Sequence, residues 1–252
     1  MTDIMIQGVH GRMGHALQDL IAQRDDCRIV AGVDVSACSD GPFPIFNGFD
    51  GVNVKADVLI DFSSVEGTKN AAAYCKKAGM PYVACTTGLD EEAMQMLQEL
   101  SKTVPVFKSG NMSLGMNLLI ELCKKASQIL GTGYDVEIIE KHHHNKLDAP
   151  SGSALMLADG INSVNDNKYH YVFDRSPVHA KRDPNELGIS AVRGGSIIGD
   201  HEVLFCGPDE VITLQHTAYS RSIFANGAVN AAIWLAEKAP GMYNMSNLIT
   251  DR

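Results

Sequence analysis

Ile4-Met5-Ile6-Gln7-Gly8-Val9-His10-Gly11-Arg12-Met13-Gly14 runs from an apolar segment through a glycine turn into an amphipathic stretch. Ile4-Met5-Ile6 predicts a short buried strand. Met13, Ala16, Leu17, Leu20 and Ile21 recur at three- and four-residue intervals, which predicts a helix over 12–23. Glycines between a strand and a helix let backbone N–H groups approach a pyrophosphate, which then rests on the positive end of the helix. The spacing here is G-x-x-G-x-x-G, not the G-x-G-x-x-G fingerprint, and an ordinary glycine-rich turn would read the same. Asp34 supplies context. It closes a second strand, Arg28 to Asp34, where an acid accepts hydrogen bonds from an adenosine ribose. An Asp capping a turn at a strand end fits equally well in isolation. Strand, turn, helix, strand and acid in that order favour a dinucleotide site.

The same alternation continues outward. Val58-Leu59-Ile60, Tyr82-Val83-Ala84 and Val104-Pro105-Val106-Phe107 predict further strands. Between them Ser64 is placed to cap a helix with Glu66 in its first turn, Lys76 and Lys77 in its last and Gly79 after it. Asp90-Glu91-Glu92 opens another helix, through Leu100. Strands separated by helices give βαβ units and a parallel sheet. Open α/β sheets bind ligands at the carboxyl ends of their strands. Cys85-Thr86-Thr87-Gly88 and Ser109-Gly110-Asn111-Met112 follow two such ends and are candidates to line a nicotinamide, though each can be only a turn.

Near residue 112 the pattern changes. A long helix from about Leu114 to Leu130 ends at Gly131 and Gly133, Asp135 to Glu140 reads as a strand, and Ser151 begins a helix. From Ile189 the pattern is antiparallel: His201 to Cys206 and Val211 to Thr217 are joined by Gly207-Pro208-Asp209. Residues 221–238 finish as an Ala- and Gly-rich helix. The expected fold is α/β: a Rossmann-type parallel-sheet domain and a smaller α+β domain with a mostly antiparallel open sheet.

Composition narrows the function classes. The 252 residues are 45% hydrophobic, 20% charged and 6% aromatic, average globular usage that excludes disorder, collagen and coiled coil for the whole chain. No run approaches the ~18–20 apolar residues of a membrane span, and Met1-Thr2-Asp3 reads as an acidic, uncleaved terminus. Thirty acidic against 21 basic residues, formal charge −9, lack the basic footprint of a nucleic-acid binder. Cys27, Cys38, Cys75, Cys85, Cys123 and Cys206 form no C-x-x-C, which predicts reduced, mostly buried thiols of a cytoplasmic protein.

In this acidic chain Lys141-His142-His143-His144-Asn145-Lys146 is a local cationic site, followed by Leu147-Asp148-Ala149-Pro150-Ser151-Gly152-Ser153. Ser151 is placed to cap a helix whose first N–H groups seat an anion. That suits a small substrate with more than one carboxylate. A solvated basic loop is the plain alternative. A metal site is disfavoured, because consecutive histidines point in different directions and no H-x-x-x-H pair accompanies a carboxylate.

These motifs resemble the dihydrodipicolinate reductase (4-hydroxy-tetrahydrodipicolinate reductase) family of the diaminopimelate–lysine pathway. The resemblance rests on G-x-x-G-R-M-G, T-T-G and H-H-x-x-K-x-D-A-P-S-G-S-A, and continues in Glu186-Leu187-Gly188-Ile189, Arg193-Gly194-Gly195, Gly199-Asp200-His201, Ser220-Arg221 and Phe224-Ala225-Asn226-Gly227-Ala228. It implies an NAD(P)H-dependent oxidoreductase in which hydride from nicotinamide reduces a conjugated C=C–C=N ring. His142 is implied as the catalytic histidine and Lys146 as the proton donor, with His143, Ser151, Gly152, Ser153 and Arg221 holding the substrate. Gly8, Val9, His10, Gly11, Arg12, Met13, Asp34, Cys85, Thr86, Thr87, Ser109, Gly110, Asn111 and Met112 are implied around the cofactor, with no metal. The domains would be 1–112, completed by about 221–252, and 113–220 for substrate and oligomerisation, in a homotetramer. Cys85 stands where the family has Gly, and His144, Asn145 and His10 also depart from its pattern. Asp34 would repel a 2′-phosphate, so NADH is expected to be preferred. NADPH is still used, because Arg12 offers a nearby cation. A related semialdehyde or amino-acid dehydrogenase would share the first domain without needing the histidine cluster; a non-catalytic NAD-sensing or metal-binding module is the alternative outside enzymes.

Overall fold

The computed structural model describes residues 1–36 and 41–251; Cys38 lies outside them. The chain runs β1 (Thr2–Gln7), α1 (Arg12–Ile21), β2 (Cys27–Asp34), β3 (Ile45–Asn47), β4 (Val58–Asp61), α2 (Val65–Ala78), β5 (Tyr82–Ala84), α3 (Glu91–Leu100) and β6 (Pro105–Lys108). It continues with α4 (Leu114–Leu130), β7 (Asp135–His142), α5 (Gly152–Ser163), β8 (His170–Val172), β9 (Glu186–Arg193), β10 (Gly199–Cys206), β11 (Val211–Ala218), α6 (Ser222–Leu235), β12 (Gly241–Tyr243) and α7 (Met245–Thr250). Two compact units result: Met1–Leu114 with Arg221–Arg252, and Gly115–Ser220.

The first unit is a parallel sheet in the order β12-β6-β5-β4-β1-β2-β3. Both faces are covered, which is why its strands read as continuous apolar runs. Ile4 and Ile6 pack with Leu17 of α1 and Ala228 of α6, while Met5, pointing the other way, packs with Ala71 of α2 and Leu97 of α3. The helix ends follow their sequence signals. Ser64 accepts from Gly67 N, Asp90 accepts from Ala93 N, and Gly79 turns left-handed at φ 64 to close α2. The chain order reverses between β1 and β4, so the glycine turn after β1 sits at the switch point where such sheets bind ligands.

The second unit is a five-stranded sheet in the order β11-β10-β7-β9-β8. α4 and α5 cover one face through Met116, Leu119, Leu157 and Ile161 against Ile138, Val203 and Phe205. This sheet is mixed. β10 pairs antiparallel with β11 and β7, but β9 pairs parallel with β7 and β8, so the expected antiparallel pattern fails at β9. A strand's own sequence records alternation, not the direction of its neighbours. β7 extends past Glu140 to His142, and the Ala-rich helix ends at Leu235 before the chain re-enters the first sheet as β12. Among the described residues five cysteines are free thiols, four of them buried and Cys206 partly exposed.

Candidate functional site

The glycine turn between β1 and α1 is shaped by close backbone approaches. Gly8 has φ +76 and a Cβ there would lie 2.6 Å from Phe62 O; at Gly14 a Cβ would lie 2.3 Å from Gly8 O. Those two glycines therefore serve turn geometry and close helix–strand packing. Gly11 caps α1 without a side chain, and no acid stands in the first turn, so no side chain of the turn satisfies those amides. That amide set fits an anionic pyrophosphate. Val9 is fully buried, so only its backbone faces the turn, and Met13 packs on the core, whereas His10 and Arg12 are exposed.

Asp34 ends β2 beside this turn, its Oδ2 accepting from His10 N at 2.9 Å and its Oδ1 from Val35 N at 2.8 Å. It borders a cavity of about 880 Å³ that Gly8, Asn47, Phe49, Ser64 and Tyr74 also line. The volume lies in the range of cofactor pockets.

The two further loops present backbone more than side chains. Cys85 is buried, its thiol pushed well up by burial, and Thr86 donates to Asp61 Oδ2 at 3.3 Å; Thr87 is exposed. Ser109 Oγ donates to Asn111 O at 2.8 Å, Asn111 Oδ1 accepts from Ser113 N, Gly110 is exposed and Met112 is buried. Sequence reading missed the two groups that hold these loops. Fully buried Asp61 accepts from Tyr82 OH at 2.6 Å, Thr68 Oγ1 at 2.8 Å and Ser63 N at 2.9 Å. Lys108 Nζ donates to Thr86 O at 2.9 Å, and burial lowers its pKa. Each is a charged residue at the last position of an apolar strand, a signal that was present in the sequence.

In the second unit β7 delivers the histidine segment. Val136, Ile138, Glu140 and His142 alternate onto its buried face, so the strand carries two polar groups in core positions. Glu140 Oε2 faces His142 Nδ1 at 2.6 Å and accepts from Arg193 Nη1 at 2.8 Å; Oε1 accepts from Arg193 Nη2 at 2.7 Å and Ser151 N at 2.9 Å. Burial would raise this carboxyl, but the hydrogen bonds from His142, Arg193 and Ser151 outweigh it and hold it down to about 2. Removing Arg193 alone would strand a buried charge, a change that costs about 3–5 kcal/mol.

Ser151 caps α5 by accepting from Ala154 N, and its Oγ lies 3.0 Å from His201 Nε2. Burial first, then the neighbouring His142, lower His201 to about 4, so it is neutral at pH 7. Its ring meets His142 edge-on at 5.2 Å. Past the strand, Lys146 N donates to His143 O, and Lys146 Nζ pairs with Asp148 Oδ1 at 2.8 Å. His143 and Ser153 are partly exposed, Gly152 is exposed, and a Cβ on Gly152 would meet nothing within 4 Å. The fold thus brings His142, His143, Lys146 and the α5 start together in one unit. Arg221, exposed before α6, belongs to the other. Among the described residues no group of three or more His, Cys, Asp or Glu side chains is arranged to hold a metal ion, and no helix is long and apolar enough to cross a membrane.

Two family models match in succession: dihydrodipicolinate reductase, N-terminus, over residues 2–112, and dihydrodipicolinate reductase, C-terminus, over residues 115–249. The chain is 45% identical over 249 residues to a 4-hydroxy-tetrahydrodipicolinate reductase of Clostridium tetani, covering 99% of this chain and 97% of that one. It is 46% identical over 249 residues to the enzyme of that name from Caldanaerobacter subterraneus, covering 99% and 98%. A solved dipicolinate-bound dihydrodipicolinate reductase from Paenisporosarcina sp. TG-14 shares the fold with TM-score 0.80 at 24% identity, covering 97% of each chain.

Proposed function

Because the chain belongs to the dihydrodipicolinate reductase family, we propose that it reduces 4-hydroxy-tetrahydrodipicolinate to tetrahydrodipicolinate with a nicotinamide cofactor, in diaminopimelate and lysine biosynthesis. The observation that carries this reading is the segment from His142 to Ser153, where imidazoles, an ammonium and a capped helix start converge. Oxidation of NADH followed with freshly generated 4-hydroxy-tetrahydrodipicolinate tests it; no substrate-dependent oxidation would overturn it.

The residues divide the work. The cofactor, when bound, supplies hydride from nicotinamide C4. The glycine turn from Gly8 to Met13 holds its pyrophosphate, Asp34 its adenosine ribose, and the loops Cys85–Thr87 and Ser109–Met112 the nicotinamide end. Loss of water from the 4-hydroxy substrate leaves a conjugated C=C–C=N ring. Hydride addition makes that ring an electron-rich enamine, which needs one proton. Lys146 donates it and balances the dianionic substrate. His142 faces the ring, and His143, Ser151, Gly152 and Ser153 seat a carboxylate at the α5 N-terminus. The space open at Gly152 makes this testable: Gly152→Val leaves the fold intact and raises substrate KM at least several-fold, with cofactor affinity unchanged. A wild-type KM would count against the seat.

NADH is the preferred cofactor in this reading. Asp34 keeps one lone pair on each oxygen for ribose hydroxyls beyond its bonds to His10 N and Val35 N, and its charge opposes a 2′-phosphate. Exposed Arg12 moderates the opposition, so NADPH is also used. Asp34→Ala narrows the difference in kcat/KM between the two cofactors; wild-type efficiency equal or better with NADPH would refute the preference. The open face of the second sheet exposes Val192 and Val211, and we place the homotetramer contact there, checked by sedimentation. The five free thiols among the described residues support a cytoplasmic protein, checked by cell fractionation.

A further inference from the structure

Glu140 joins three segments that chain order keeps apart: the end of β7, the start of α5 and the end of β9. Its four hydrogen bonds use both lone-pair sites of both oxygens. An ionised carboxylate can only accept, so the imidazole atom facing it must be the donor. His142 is therefore held with its proton on Nδ1, and Nε2 is the ring atom left to meet a ligand. Two neighbours agree with this arrangement. A Cβ on Gly199 would come 3.1 Å from His142 Nε2, so the glycine keeps that atom uncrowded. His201, whose ring packs edge-on, spends its Nε2 on Ser151 Oγ and does not compete for Glu140.

We propose that Glu140 is a positioning residue whose one carboxylate locks the His142 tautomer and, through Ser151 N–H, holds the α5 start in register with it, Arg193 being its counter-cation. This rests on the reading of residues 142–153 as the substrate side of a reductase. The charged and titratable groups around the pair include Arg193 from β9, His201 and Asp200 from β10, His216 on β11, and Asp148 and Lys146 in the following loop.

Glu140→Gln separates positioning from mere packing because it preserves shape. The amide offers one accepting oxygen to donors from His142, Arg193 and Ser151, so its NH₂ must face at least one of them. The conflict is relieved when His142 moves its proton to Nε2 and Nδ1 accepts from the amide. A wrong tautomer in an otherwise intact site is known to cost up to about 10⁴-fold in turnover. The experiment combines long-range ¹H–¹⁵N spectra of the histidine rings in the full chain at pH 8 with steady-state kinetics. The wild type is expected to show His142 as Nδ1–H. Glu140→Gln is expected to show Nε2–H, to lose kcat by about 10²–10⁴-fold, and to bind NADH within about two-fold of wild type. An Nε2–H ring in the wild type overturns the proposal whether or not the variant folds, as does a folded Glu140→Gln retaining more than about half of kcat. A wild-type ring in the Nδ1–H form in a protein that turns over no substrate supports the lock and overturns the substrate assignment instead.

Discussion

Lys146→Ala is expected to cut turnover by about 10²–10⁴-fold while leaving nicotinamide cofactor binding within about two-fold of wild type, the usual loss when a general acid is removed. The ammonium is held by Asp148 at 2.8 Å and is largely shielded, with its side chain 22% exposed. The turn beneath it is made by backbone, Lys146 N to His143 O, so alanine leaves the loop closed. The fold therefore survives, and the loss reports chemistry. A proton donor acts in the transition state and lowers kcat, whereas a group that only binds a carboxylate raises KM. Steady-state kinetics on the purified variant separates the two. More than half of wild-type turnover would remove Lys146 from the acid's role.

Gly227→Ala is expected to destabilise the protein by about 3 kcal/mol, at the upper end of overpacking costs, and to lower Tm by about 6–12 °C. By helix propensity alone the substitution would stabilise α6 by up to about 1 kcal/mol. Packing reverses the sign. A Cβ at Gly227 would fall 1.6 Å from Met112 O, and a backbone carbonyl cannot rotate aside as a side chain could. Met112 ends the loop proposed to hold the nicotinamide end, so on that proposal the same variant weakens cofactor binding. Gly133→Ala is the control, since a Cβ there meets nothing within 4 Å. Calorimetry on the pair decides, and equal Tm values for both would show that α6 and the loop separate freely.

The sequence carries the local signals well and the tertiary ones poorly. Ser64, Gly79, Asp90 and Ser151 each act where their residue type predicts, because caps are set by bonds within a few residues. β3, β8 and β12 escaped notice because three residues are too few to show alternation, and each exists by pairing at a sheet edge. The histidine segment stands out by charge against an acidic chain, yet Arg193, its ion-pair partner through Glu140, lies 53 residues away from that glutamate. No spacing rule reaches that far. One clue was available: Val136, Ile138, Glu140 and His142 share a strand face, and a Glu in such an apolar series needs a buried cation.

The last strand of the first sheet comes from the far end of the chain, and this fixes an order of events during synthesis. β12 pairs with β6, and α6 packs against Ile4 and Ile6 of β1 in the core, but the contiguous unit Gly115–Ser220 is translated between them. At ~5–20 residues per second the ribosome takes about 5–20 s to pass those roughly one hundred residues. During that interval the later unit can close while β6 remains an unpaired edge and one apolar face of the sheet lacks α6. Exposed edges and apolar faces of that kind recruit chaperones and invite aggregation. The unit begun first is thus completed last, and slow codons within 115–220 would lengthen its exposed stage without altering a single contact of the finished protein.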